Sequence, residues 1–123
     1  MNPNSQSSDS AKKIWPVRVA KGRWLSLWDK PMTLEVGKGV VSLSLKGQTV
    51  FSSVPQNIRI THHGLESTPQ FLTMKSGADT YRLDFRVGLK ITKAGNFTAT
   101  IKNRDEFISA LEDLGVANLP HFT

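Results

Sequence analysis

Apolar and polar residues alternate in short runs from Trp24 to Phe85, with turn-forming residues between the runs. A period of two sends successive side chains to opposite faces of a strand. Trp24–Trp28 places Leu25 and Leu27 on one face. Leu34 and Val36 oppose Thr33 and Glu35. Val41, Leu43 and Leu45 oppose Ser42 and Ser44. Short runs follow at Thr49–Ser52, Asn57–Ile60, Gln70–Lys75 and Thr80–Phe85, where Tyr81, Leu83 and Phe85 alternate with Arg82 and Asp84. The breaks carry turn chemistry: Asp29-Lys30-Pro31, Gly37-Lys38-Gly39, Lys46-Gly47-Gln48, Pro55, the polar stretch 61–69 and Ser76-Gly77-Ala78-Asp79. One dry face and one wet face per strand is the pattern of antiparallel sheet. The chain therefore predicts seven antiparallel strands.

The period changes near the C-terminus. Phe107, Ile108, Leu111 and Leu114 fall at i, i+1, i+4 and i+7, the apolar stripe of a helix. Asn103 is a suitable N-cap, Glu106 completes a capping-box spacing, and Asp105 and Glu106 suit the positive end of the helix dipole. Gly115 is placed for a left-handed C′ position, with Val116 next to close on Leu111. This predicts a helix over 104–114. Between the strands and this helix, Phe97, Ala99 and Ile101 alternate weakly, and we assign 97–101 as a strand. Residues 1–13 are Ser- and Asn-rich with little to bury and are expected to be a disordered tail. Residues 14–118 then form a single domain, and 119–123 a C-terminal tail.

The chain has 123 residues, enough for one core without staples, and no cysteine. That excludes disulfides, thiolate nucleophiles and Cys-ligated zinc or iron–sulfur centres. It fits a cytoplasmic setting. No run approaches the ~18 apolar residues of a membrane span, and no basic stretch followed by an apolar one marks a secretory leader. The formal net charge of +6 is unevenly spread. Arg86, Lys90, Lys93, Lys102 and Arg104 follow one another with no acid between them. Asp105, Glu106, Glu112 and Asp113 are the only charged side chains after that. A basic segment of this kind suits an acidic protein, an anionic lipid headgroup or nucleic acid. A solvated surface that simply keeps the protein soluble has the same composition.

Leu34–Leu45, Val50–Ile60, Phe71–Phe85 and Glu106–Val116 together resemble small bacterial pleckstrin-homology-like (PH-like) domains. The resemblance implies an α+β, mainly β architecture: a seven-stranded antiparallel bent barrel capped by one C-terminal helix. In such domains the connections 1–2, 3–4 and 6–7 gather at the open end. Carried onto this chain, that implies convergence of Lys30, Lys46 and Lys75, with Asp29 and Asp79 beside them. Residues 86–102 depart from the family pattern, which passes more directly from the last strand to the helix.

Few residues suggest chemistry. His62 and His63 are adjacent, so on an extended segment they point to opposite faces, a poor arrangement for one metal. Glu66 is nearby and His121 is remote, so we expect no metal site. No serine lies in a Gly-x-Ser-x-Gly elbow, and no glycine-rich loop has the phosphate-binding ending Lys-Ser/Thr. We expect no cofactor and no catalysis. Trp15, Trp24 and Trp28 are interleaved with Arg18, Lys21 and Arg23, as in single-strand nucleic-acid binders. The alternative is that Ile14–Val19 covers Trp24 and Trp28 on the barrel's outside. The expected function is a non-catalytic binding or scaffold module that meets a protein or an anionic membrane surface. A small-barrel nucleic-acid binder is the rival reading. Two patches carry these expectations: Arg86, Lys90, Lys93 and Lys102, and the N-terminal set Trp15, Arg18, Lys21 and Arg23.

Overall fold

A computed structural model describes residues 12–21, 30–62, 70–87 and 94–120. Its strands are β1 (Lys13–Lys21), β2 (Lys30–Gly37), β3 (Val40–Leu45), β4 (Gln48–Ser53), β5 (Ile58–His62), β6 (Phe71–Ser76) and β7 (Asp79–Asp84), followed by α1 (Ala94–Asp113). The strands form one antiparallel sheet in the order β4-β3-β2-β1-β7-β6-β5. β1 is thus central, pairing with β2 and, from Arg18 onward, with β7.

This corrects the expectation that Ile14–Val19 covers an outer face. Trp15, Val17 and Val19 alternate into the core at 3–4% exposure. Pro16 is tolerated within a central strand because the β7 ladder has not yet begun beside it. The expected strand Trp24–Trp28 lies outside the described residues, as do residues 1–11 and 63–69. Lys13, expected in the N-terminal tail, opens β1.

The sheet is folded over on itself. β4 and β7 are four strand spacings apart, which in a flat sheet is ~19 Å. Yet the rings of Phe51 on β4 and Tyr81 on β7 have centroids 5.1 Å apart. Only a strongly bent sheet brings them together. The inward faces are the alternating positions read from the chain: Leu34 and Val36, Val41 and Leu43, Ile58 and Ile60, Tyr81 and Leu83. Tight turns set the registers. Gly37↔Val40 is closed by Lys38 and Gly39 at φ 55 and 72, and Leu45↔Gln48 by Lys46 and Gly47 at φ 52 and 82. Two consecutive positive φ values twist the backbone in the sense the strands require.

The helix is longer than its apolar stripe suggests. It spans 20 residues, and 97–101 is helical rather than a strand. Asn103 lies inside the helix, so it is not the N-cap. The buried line runs Thr100, Arg104, Phe107, Ile108 and Leu111, a spacing of i, i+4, i+7, i+8 and i+11. Its first two members are polar, which hides the helical period. Phe97, the strongest apolar residue of the supposed strand, is 47% exposed. Thr100 is fully buried and satisfied in both directions. Its hydroxyl donates to the Asn96 carbonyl at 2.7 Å and accepts from the Val87 amide at 2.9 Å.

The C-terminal end of the helix is as expected. Val116 N–H donates to the Leu111 carbonyl and Gly115 N–H to the Glu112 carbonyl, with Gly115 at φ 86. These are the paired bonds of a Schellman ending. Leu119, expected in a C-terminal tail, is buried with the core at 8% exposure.

Phe107 packs between two strand ends. Its ring centroid is 5.6 Å from Trp15 and 5.7 Å from Phe85. Leu111, fully buried, extends the same contact. Replacing Leu111 by Ala should lower unfolding free energy by about 2–5 kcal/mol. Chemical denaturation checks this, and a near-zero change would place the helix stripe elsewhere.

Candidate functional site: the basic end of the barrel

Strand direction brings three connections to one end. Val19↔Lys30 and Lys21↔Tyr81 set the end of β1 beside the starts of β2 and β7. Thr33↔Ser44 brings the end of β3, and with it the Lys46-Gly47 turn, to the same level. Ser76↔Asp79 closes the β6–β7 turn there as well. The described strand ends that flank connections 1–2, 3–4 and 6–7 therefore lie at one end of the sheet. Lys30 opens β2 and Lys46 occupies its turn at positive φ, both exposed. Among the described residues neither forms an ion pair with an acid.

Lys75 is positioned differently. It sits two residues before Gly77 on β6, with its neighbours Met74 buried and Ser76 half-buried. Its register partners are Arg59 on β5 and Thr80 on β7. It therefore projects from the outer face of this arm, whereas Lys21 stands at the mouth, on the inward face with Tyr81. Sequence reasoning singled out Lys75 but not Arg59. The signal was available: Arg59 lies between two inward isoleucines, so its side chain must face out.

At the mouth, the Lys21 ammonium is 3.7 Å from Asp79 and lies 5.7 Å from the centre of the Tyr81 ring. Tyr81 is 5% exposed. Burial pushes its phenol above the ordinary value near 10; Asp79 adds to that shift and the Lys21 charge opposes it. Lys21 is thus partly neutralised, and the tyrosine ring with Phe51 closes the space beneath it.

Among the described residues of 86–104, Arg86, Lys102 and Arg104 do not share a single basic face. Arg86 turns back to Asp84, its amide donating to that carboxylate at 2.9 Å and its guanidinium lying 3.8 Å away. Asp84 itself, expected on a wet face, is 2% exposed. Arg104 is buried, and its Nε and Nη2 donate to Asp105 at 3.0 and 2.9 Å. Lys102 is exposed and 4.0 Å from Glu106 one turn on. Lys90 and Lys93 lie outside the described residues.

The N-terminal set is also divided. Trp15 is in the core, and its indole N–H donates to Glu106 at 3.2 Å. Its ring is not presented for stacking on a base. Arg18 and Lys21 are on β1. Arg23, Trp24 and Trp28 lie outside the described residues. So do His63, Glu66 and His121, while His62 ends β5. Among the described residues, no cluster of three metal-ligating side chains occurs, and no helix is long and apolar enough to cross a membrane.

A groove lies beside the β6–β7 turn. It encloses about 590 Å³ and is bounded by Gln56, Asn57, Arg59, Lys75, Gly77 and the chain after the helix, Gly115 to Asn118. The Gln56 side-chain amide donates to the Leu114 carbonyl at 3.2 Å, tying the β4–β5 connection to the helix end. No acidic residue lines it.

No protein-family model matches this chain, and no curated protein matches it in sequence. Seven solved chains match in structure. One, an apo structure of the activated truncation of Vav1, aligns with a TM-score of 0.59 at 8% identity. The alignment covers 89% of this chain and 28% of that one. Vav1 contains a PH domain. The fold of this chain is accordingly PH-like: mainly β, with seven antiparallel strands and one C-terminal helix. No sequence relation narrows it to the bacterial group.

Tyr81 is the sole tyrosine, so phenolate absorbance reports on it alone. Its raised folded value means the neutral phenol is favoured in the native state. Stability from this term is constant below about pH 10, the unfolded value, and falls as pH rises through the higher folded value. A titration midpoint clearly above 10, with alkaline destabilisation, is the expected result. An ordinary midpoint would place the ring in solvent.

Proposed function

We propose that this chain is a non-catalytic binding or scaffold module that meets an acidic partner, a protein surface or an anionic membrane, through the basic end of the barrel. The observation that carries the reading is the placement of Lys30 and Lys46. They are exposed at one end of a PH-like fold, with no acidic partner among the described residues. Two unneutralised cations, one at the start of β2 and one in the β3–β4 turn, raise the local concentration of an anionic surface and orient it.

The buried polar side chains favour binding over catalysis. Thr100 joins a loop amide to a helix carbonyl, Asp84 accepts from a neighbouring amide, and Arg104 holds Asp105. Each serves the fold rather than facing a substrate cavity. The nucleic-acid reading loses its best-placed ring, since Trp15 is enclosed. We place the module in the cytoplasm, where a chain without cysteine loses nothing under reducing conditions.

Charge reversal separates these readings. The Lys30→Glu/Lys46→Glu double variant should lose sedimentation with phosphatidylserine vesicles, or capture by an acidic protein, whichever the native chain shows at low salt. Its unfolding free energy should stay within about 1 kcal/mol, as expected for exposed positions. Undiminished binding by the folded variant overturns the proposed end. Tight oligonucleotide binding with a steep salt dependence would favour the nucleic-acid reading instead.

A further inference from the structure

Arg59 and Lys75 present a feature that the fold does not require. They are direct partners in the β5–β6 register. Directly opposed residues share one sheet face with Cβ atoms ~5 Å apart, and like charges so placed destabilise the pair. Both side chains are exposed, and among the described residues neither is paired with an acid. An opposite charge at either position would stabilise the same sheet. The chain instead keeps two cations side by side.

The two cations border the open groove of about 590 Å³ beside the β6–β7 turn. Its other polar borders are the carboxamides of Gln56, Asn57 and Asn118. Gly77 and Gly115 flank it with bare backbone, and a Cβ added at either would meet nothing within 4 Å. The negative end of α1 is muted here. The Leu111 and Glu112 carbonyls accept from Val116 and Gly115, and that of Leu114 from Gln56. An anion approaching the groove therefore meets two full positive charges, and the carbonyls of Leu111, Glu112 and Leu114 beside it already accept hydrogen bonds.

The carboxamides decide among anions. Each offers N–H donors and a carbonyl acceptor. A fully ionised phosphate or a phosphodiester only accepts hydrogen bonds and leaves the carboxamide acceptors to water. A peptide has both N–H and C=O groups along its backbone. We propose that this groove binds an acidic peptide segment of a partner protein. Arg59 and Lys75 straddle an Asp or Glu carboxylate, while Asn57 and Asn118 exchange hydrogen bonds with the peptide backbone. Arg59 supplies the planar, two-pronged contact and Lys75 a point charge. The proposal rests on the binding-module reading and assigns that module a partner chemistry and a seat.

The test uses the full chain, isotope-labelled, and a short peptide of Glu, Ser and Gly. A control peptide has Gln for every Glu. The acidic peptide should shift the amides of 56–59, 75–77 and 115–118, and the control should not. Arg59→Ala and Lys75→Ala should each weaken binding about tenfold. Lys75→Glu should abolish binding while raising the melting temperature, because it replaces a repulsive cross-strand pair with an attractive one. A rise in melting temperature excludes misfolding as the cause of the loss.

Peptide shifts that map to Lys30 and Lys46, unaffected by the Arg59 and Lys75 variants, overturn the groove and leave the module reading standing. Groove shifts with inorganic phosphate or phosphatidylserine vesicles, but not with the peptide, overturn the peptide assignment. Loss of peptide binding in Lys30→Glu/Lys46→Glu with undiminished binding in Lys75→Glu overturns it too. No shift with the peptide at any site also overturns it, whatever the vesicles show.

Discussion

Phe107 is the side chain on which the two halves of the bent sheet converge, at the seam between β1 and β7. It lies against Trp15 near the start of β1 and Phe85 just beyond the end of β7. These two strands are neighbours in the sheet, but their ladder covers only Arg18–Lys21. Beyond it the strands part, and an aromatic ring from the helix fills the opening. At the other end the sheet closes on itself through Phe51 and Tyr81. The barrel is thus plugged by a helix residue at one end and by its own rings at the other. The loops at the second end are left for surface roles, because the core beneath them is already sealed.

The helix is held in two ways. Its C-terminal half buries Phe107, Ile108 and Leu111 among strand residues, which is hydrophobic packing. Nearer its N-terminus, through its midpoint, it turns Thr100 and Arg104 inward, and there the stabilisation is polar. A buried hydroxyl that both donates and accepts avoids the ~1–3 kcal/mol penalty of an unsatisfied group. It also ties Val87 to the second turn of the helix. Polar pairing of this kind demands more exact geometry than apolar contact. That gives the short connection from β7 a defined course at Val87 rather than a merely compact one.

The alternating strands β2 to β7 and the Schellman ending were legible because each rests on a local rule. Ser42 and Ser44 between Val41, Leu43 and Leu45 admit one reading, and so does Gly115 after an apolar stripe. The N-terminal half of α1 was not legible, since Thr100 and Arg104 carry no apolar signal and Phe97, which does, points to solvent. The central place of β1 was not read from Ile14–Val19, which holds Pro16, a residue that normally marks an edge. Its tolerance depends on where β7 begins, a tertiary fact. Among candidate site residues, Lys30 and Lys46 were named through turn chemistry and a family resemblance; Lys46 does lie in a turn, whereas Lys30 opens β2. Arg59 was missed because its partner, Lys75, lies 16 positions away and pairing across a loop is not written in either segment. Arg86 and Arg104 looked like surface charge, but Arg104 is buried and both are paired with carboxylates, Asp84 and Asp105.

The net charge of +6 therefore divides by role rather than by segment. Arg104, Arg86 and Lys21 are matched by Asp105, Asp84 and Asp79 at 2.9–3.8 Å, which leaves less of their charge for a partner. Lys30, Lys46, Arg59 and Lys75 have no such match among the described residues. Surface ion pairs contribute little to stability, so an unpaired surface lysine costs almost nothing and needs no explanation by itself. A like-charge pair locked in register is different, since sheet geometry holds the two charges together. The fold gains nothing from that opposition. Its cost falls when a negative group lies between the two side chains, and under the peptide-groove proposal that group comes from a partner.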